Sequence, residues 1–243
     1  MPFTFCHPAI ILPLTKSKKL STSALIIGST APDFEYFIRM DMIRSHSHDF
    51  WAVFYFNLPL TLLLYFIFQT IVKSPLITNS TPFFLNRFRK YLKNNQTIFT
   101  LKNIYIVSIS ACIGIFSHLL WDSFTHKEGL FEGYLPQLLN TVVINGKEVI
   151  IFQFLQTWSS IIGGMYILYF IYKMPINTIK PNSITFKSNF IQFWLIAILI
   201  SFFVIYFRNC QNISQLIATS ISGGFIGLIL SSLFSKQTHN RTK

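Results

Sequence analysis

Hydrophobic positions in this chain come in long unbroken runs, not in the alternation of a half-buried strand or the stripes of a water-facing helix. Runs at 51–72, 104–121, 149–172, 190–207 and 213–234 each approach the roughly 20 residues that a membrane-crossing helix needs. They predict five long spans. Two shorter runs, 5–14 and 20–31, precede them and are separated by "TKSKK". Neither is long enough for a comfortable crossing, which predicts a tight N-terminal helical hairpin, partly inserted or packed against the bundle. The expected fold class is therefore all-α: a polytopic membrane helix bundle of five long spans plus a short N-terminal hairpin. It reads as a single integral membrane domain over 1–243, with hairpin and outer motifs in 1–50, three spans in 51–172, and two spans with a basic tail in 173–243.

Composition agrees with the pattern. Of 243 residues 51% are hydrophobic and 12% charged, about half the charged share of an ordinary soluble domain. The net charge of +12 raises nucleic acid as a partner, but the basic residues sit between apolar runs, where they orient membrane helices. No base-reading motif accompanies them, which argues against a nucleic-acid partner. Cys6, Cys112 and Cys210 are odd in number and widely spaced, so no disulfide framework is expected. The N-terminus lacks the basic stretch and apolar core of a cleavable signal, so it is expected to stay on the mature protein.

Charge also sets the expected sidedness. The loop 73–103 holds Lys73, Arg87, Arg89, Lys90, Lys93 and Lys102 and no acid, which assigns it to the cytoplasm. Alternation then puts the basic loop 173–189 and the tail with Lys236, Arg241 and Lys243 on the same side. The segments 32–50 and 122–148 fall on the opposite face and contain all eight acidic residues of the chain. Within 74–100, a basic stretch with Phe83, Phe84, Leu85 and Phe88 reads either as an interfacial helix with those side chains towards lipid or as a solvated loop.

Ionisable residues inside a span are costly, so they point to function by default. "SHLLWDSFTH" carries His118 and Asp122 four residues apart, the spacing at which two helical side chains share a face and can share an ion. The same pair can instead hydrogen-bond between helices. His126 lies two turns from His118, about 12 Å along a straight helix; it joins the same ion only if the helix ends near Ser123, and otherwise serves a second one. "APDFEYFIRM" adds Asp33 and Glu35, and "RSHSHDF" adds His46 and His48, which diverge by about 200° if helical. Glu35 can pair with Arg39 four residues on, and packing suits Cys6 better than ligation. "QTWSSIIGG" and "SISGGFIGLILSS" read as close helix packing. Ser123 lacks the glycine-flanked turn of a serine hydrolase nucleophile.

The succession "FTFCHPAIILPL", "GSTAPDFEYFIR", "SHDFWAVFYFNLPL" and "SHLLWDSFTHKEG" resembles a bacterial family of integral membrane proteins, domain of unknown function 4184. More distantly it is similar to membrane-bound metal-dependent hydrolases, and its His-x-x-x-Asp element to zinc-dependent phospholipases C. The resemblance covers residues 2–165 and implies His7, Asp33, His48, His118, Asp122 and His126 as metal ligands. Arg44 stands alone where the hydrolases carry an "HR" pair, so one ligand is absent or replaced by His46. The resemblance also implies the bacterial cytoplasmic membrane, and the sidedness expected from charge puts the cluster on its non-cytoplasmic face.

Imidazole and carboxylate donors suit a divalent metal, zinc first, with manganese or iron as alternatives. Three functions are then expected to compete. One is a metal-dependent hydrolase acting on a phospholipid or lipid phosphate, with Glu35 as a candidate general base. Another is a structural metal or polar site in a non-enzymatic protein. The third, an ion or proton transporter, is disfavoured because the ligands gather at one face and not at the midplane.

Overall fold

The computed structural model describes residues 4–43, 47–93, 100–126, 135–144, 146–177 and 183–241. In chain order the elements are α1 (Pro8–Ile11), α2 (Thr22–Gly28), α3 (Phe34–Arg39), α4 (Val53–Thr78), α5 (Pro82–Phe88) and α6 (Leu101–Thr125). Then follow a hairpin of β1 (Thr141–Ile144) and β2 (Lys147–Ile150), and the helices α7 (Ile151–Tyr172), α8 (Ser183–Arg208) and α9 (Ile213–Arg241). Among the described residues, five helices are long and apolar enough to cross a membrane: α4, α6, α7, and the stretches Asn189–Arg208 of α8 and Ile213–Ser235 of α9. The protein is an all-α polytopic bundle, as its apolar runs predict.

The chain divides into two compact units. The first takes in residues 1–34, 44–65 and 99–173, and the second 35–43, 66–98 and 174–243, with α4 contributing to both.

In the first unit the short front helices pack on α6. A row of buried residues runs down one side of α6 through Val107, Ala111, Gly114, His118, Asp122 and Thr125; the three- and four-residue steps keep them on one face. Phe116, Leu120 and Phe124 on other faces are exposed, as lipid-facing side chains are. Two glycines let α2 and α6 touch backbone to backbone. A Cβ at Gly28 would sit 2.5 Å from the Ala111 carbonyl oxygen, and one at Gly114 would collide with the Leu25 carbonyl and the Ser29 amide. This is the small-residue contact expected where helices associate in lipid. Beneath the polar end of the unit lies an apolar cluster of Ala31, Val53, Ile115 and Leu119, with Leu58 against it.

The second unit is built on the α8–α9 hairpin. Gly223 and Gly227 of α9 press on Ser201 and Ala197 of α8, so the "SISGGFIG" stretch does serve close packing. Ser222 donates to the Phe37 carbonyl at 2.5 Å and Gln215 to Asp41 Oδ2 at 3.0 Å. Trp194 Nε1 donates to the Asn79 carbonyl at 2.8 Å.

Local details differ from the sequence reading. α4 runs on through Lys73 and Pro75 to Thr78, because a proline interrupts a helix less where neighbouring contacts hold the chain. The segment before α7 is a β-hairpin with Gly146 at φ 75° in its turn; Thr, Val and Ile flank that glycine, and such residues favour strands. In α5, Phe83 and Phe84 are exposed as an interfacial helix requires, but Leu85 is buried. The Arg87 guanidinium lies 3.9 Å from the centre of the Phe83 ring. Phe83, Phe84 and Leu85 are consecutive, and steps of about 100° per helical residue keep them from all facing one way.

The glycine contact gives a first prediction. Gly114→Val should cost about 1–3 kcal/mol by overpacking and lower the melting temperature in detergent. Gly164→Val, where an added Cβ meets nothing within 4 Å, should leave it nearly unchanged.

Candidate metal centre

Each polar residue of the first unit is delivered by a local device. His7 caps α1, with Pro8 in the first helical position, and its Nδ1 lies 2.9 Å from the Thr4 carbonyl. Asp33 closes a 3₁₀ turn, Ala31–Asp33, that Pro32 helps to start. His48 stands ahead of α4, whose first turn, Val53–Asn57, is π-helical. That wider turn places Asn57 in the interior, where its side-chain amide donates to the Ser47 carbonyl at 2.6 Å and Ser47 Oγ meets His48 Nδ1 at 2.9 Å. His118 donates Nδ1–H to the Ser29 carbonyl at 2.9 Å, the carbonyl that the Gly28–Gly114 contact brings against α6.

One ligand atom each from Asp33, His48, His118 and Asp122 lies within 4.8 Å of the other three. His48 Nε2 is 3.5 Å from Asp33 Oδ1 and 3.2 Å from Asp122 Oδ2, and His118 Nε2 is 3.6 Å and 3.5 Å from the same two oxygens. With metal–ligand bonds of 2.0–2.2 Å, neighbouring ligand atoms stand about 3.0 Å apart on an octahedron and about 3.4 Å apart on a tetrahedron. The nitrogen–oxygen separations have the size of such edges, and most are too long for good hydrogen bonds.

The donor chemistry fits a cation. With its proton on Nδ1, His118 turns a bare Nε2 lone pair towards two carboxylate oxygens. That nitrogen is buried and has no hydrogen-bond partner. A buried polar atom so placed costs free energy unless something positive satisfies it. Binding of the far nitrogen by a backbone carbonyl is also how metal-ligating histidines are oriented. Burial by itself would raise the Asp33 carboxyl, but when the imidazoles are protonated the charge of His118, the hydrogen bond from His48 and the charge of His7 outweigh it and hold it at about 2. A cation among these groups would act in the same sense. Two imidazole nitrogens and two carboxylate oxygens suit zinc, manganese or iron.

The other two sequence candidates meet Asp122 at its second oxygen. His7 Nε2 lies 3.1 Å and His126 Nδ1 3.2 Å from Oδ1. α6 continues to Thr125, past the end that His126 would need to join the first four. His126 then leaves the helix with extended backbone, φ −131° and ψ 151°, which swings its ring back to the carboxylate. Glu35 is not among the convergent residues; it is buried and paired with Arg39 Nη2 at 2.9 Å in the second unit, as its i,i+4 spacing suggests. Cys6 is buried, with Sγ 3.8 Å from Ser160 Oγ, and burial pushes its thiol pKa up, which suits packing better than ligation. His46, Arg44 and Gly129 lie outside the described residues.

Sequence reasoning passed over Asn57, Ser47 and the carbonyls of Thr4 and Ser29. Carbonyls carry no sequence signal, whereas Asn57 does: it is an amide inside the apolar run "VFYFNLPL". Asn57→Leu should lower divalent-metal affinity about 10–100-fold, the usual effect of losing a group that orients a ligand. Thr61→Val removes only the hydrogen bond onto the Asn57 carbonyl and should change affinity little. Competition with a chelating dye measures both.

Comparison with known proteins adds a family and no activity. No curated protein and no solved structure matches the chain. One family model, described as a domain of unknown function, DUF4184, matches residues 1–233. With nearly the whole chain matched, from the N-terminal hairpin through His7, Asp33, His48 and the α6 residues to the last span, the protein belongs to the DUF4184 family.

Proposed function

We propose that this protein is a membrane-embedded metal-dependent hydrolase whose substrate is a phospholipid or another lipid phosphate ester, with zinc as the first choice of metal. The observation that carries the reading is His118 Nε2, a buried lone pair with no donor to meet it, set between the carboxylates of Asp33 and Asp122. A divalent ion held there supplies a lowered pKa for water, towards about 7, and polarises a phosphoryl oxygen.

The residues of the chain have separate tasks in this reading. His48 and His118 would present neutral nitrogens, with Ser47 and the Ser29 carbonyl fixing which nitrogen carries the proton. Asp33 and Asp122 would supply the two negative charges that make the site selective for a divalent cation. Next to His48, Phe50 and Trp51 are 48% and 72% exposed, as aromatic side chains are at the membrane–water boundary. That depth supports a substrate whose phosphate lies among lipid headgroups. Glu35, engaged by Arg39, is not given the role of base.

One observation favours a second reading, a structural ion in a non-enzymatic protein. Asp33, His118 and Asp122 are each at least 95% buried, and closed sites with a full set of protein ligands are the structural pattern.

Protein purified in detergent should contain at least one equivalent of divalent metal, falling to traces in Asp122→Ala. Traces in the wild type would remove the hydrolase reading. With metal present, release of labelled headgroup from a phospholipid panel, abolished by chelator and restored by zinc, supports catalysis. No turnover from metal-loaded protein supports the structural ion. For sidedness, Asn140→Cys in a background with Cys112→Ser and Cys210→Ser should react with an impermeant label from outside intact cells. Reaction only after lysis would reverse the proposed orientation.

A further inference from the structure

His7 and His118 form a matched pair. Their rings are stacked with centroids 4.0 Å apart and 20° between planes. Each places Nδ1 at 2.9 Å from a backbone carbonyl, that of Thr4 for His7 and that of Ser29 for His118. Each therefore aims its Nε2 at Asp122, but at different oxygens: His118 at Oδ2, 3.5 Å away, and His7 at Oδ1, 3.1 Å away. His7 is fully buried. With Nδ1–H on the Thr4 carbonyl, its Nε2 is at hydrogen-bond distance from the carboxylate oxygen, a contact made either by a second imidazole proton or by a cation in that proton's place. Such an arrangement needs a positive charge between the two atoms. His126 Nδ1, 3.2 Å from the same Oδ1, brings a third donor to that point.

We infer that Asp122 is a bridging carboxylate, and that His7, His126 and Asp122 Oδ1 hold a second divalent cation beside the one assigned to Asp33, His48, His118 and Asp122 Oδ2. The inference rests on reading the four-residue cluster as a metal site. The 4.0 Å between the stacked rings agrees with the roughly 3.5–4 Å between ions in two-metal phosphatases and nucleases. The two positions differ in kind. The first has four protein ligands, whereas the second has three and so keeps a coordination place open, as catalytic sites do. His126 is also the most accessible of the six, its side chain 22% exposed against 7% or less for the others that pair with Asp122. The second ion is thus the one placed to meet a phosphoryl oxygen, and the pair fits displacement at a phosphate ester.

Gln156 on α7 controls the second position. Its amide nitrogen lies 3.0 Å from His126 Nε2; a donor there puts the His126 proton on Nδ1, which then hydrogen-bonds to Asp122, with Thr125 Oγ1 also 3.2 Å from Nδ1. Turning the amide over presents its oxygen instead, moves the proton to Nε2 and frees Nδ1 to bind the ion. A half-turn of one amide therefore converts His126 from a hydrogen-bond donor into a ligand.

The test is metal stoichiometry on the full chain in detergent, stripped with chelator and titrated with Mn²⁺. Wild type should bind two ions with an exchange-coupled paramagnetic resonance spectrum. His126→Ala and His7→Asn should each bind one ion with an uncoupled spectrum. Gln156→Glu, which can only accept from Nε2, should tighten the weaker ion about ten-fold and Gln156→Leu should loosen it by a similar factor, the scale usual for groups that orient a ligand. If His7→Asn does not fold, His126→Ala and the Gln156 variants carry the test, since both residues lie at the edge of the cluster. One uncoupled ion in the wild type, or two ions retained in His126→Ala, overturns the second site and leaves the first standing. No bound ion removes both.

Discussion

A carboxylate buried in an apolar bundle has to be neutralised, and Asp122 is the point at which this protein meets that demand. It is 3% exposed and has imidazoles on both oxygens, His48 and His118 at one and His7 and His126 at the other. Removing a carboxylate from water costs several kcal/mol even after the surroundings relax. With Nδ1–H of His7 and of His118 on backbone carbonyls, their Nε2 atoms neutralise the carboxylate only by taking a second proton or a cation. The surroundings of Asp122 are therefore organised for added positive charge.

The helix packing of the first unit serves that organisation. The Gly28–Gly114 contact sets the backbone of α2 against α6, and the carbonyl released just past the end of α2, that of Ser29, is the one that orients His118. The π-helical first turn of α4 plays a similar part for His48, turning Asn57 onto the loop that carries the histidine. An ordinary α-helical turn would rotate Asn57 by a large part of a residue step. The second unit uses the same small-residue packing in α8 and α9, where, among the described residues, it brings two spans together without gathering ligand-type residues.

Much of this was legible beforehand, for reasons specific to membranes. A segment of about 20 apolar residues has few ways to satisfy its backbone other than as a spanning helix, so the five spans stand within a few residues of the runs that predicted them. His118 and Asp122 were recognisable as one-face neighbours from their spacing. Asp33, His48 and His126 stood out as ligand-type residues beside apolar runs, and the order of motifs joined them and His7 to that pair, since each alone is an ordinary polar residue near a helix end. The β-hairpin at 141–150, the inward turn of Leu85 and the extension of α4 past Pro75 were not legible, because each depends on what surrounds a short segment.

The sequence by itself determined the class of molecule, the number of spans and the six residues worth attention, because hydropathy, helical spacing and the order of motifs are all read along the chain. Only the tertiary structure decided which oxygen of Asp122 each imidazole faces and which imidazole proton the backbone holds. It also left His126 outside the four-residue group, because α6 continues to Thr125, and brought its ring to the other oxygen of Asp122 through one extended residue. Those facts are contacts between residues as far apart as His7 and Asp122, and no local pattern encodes them.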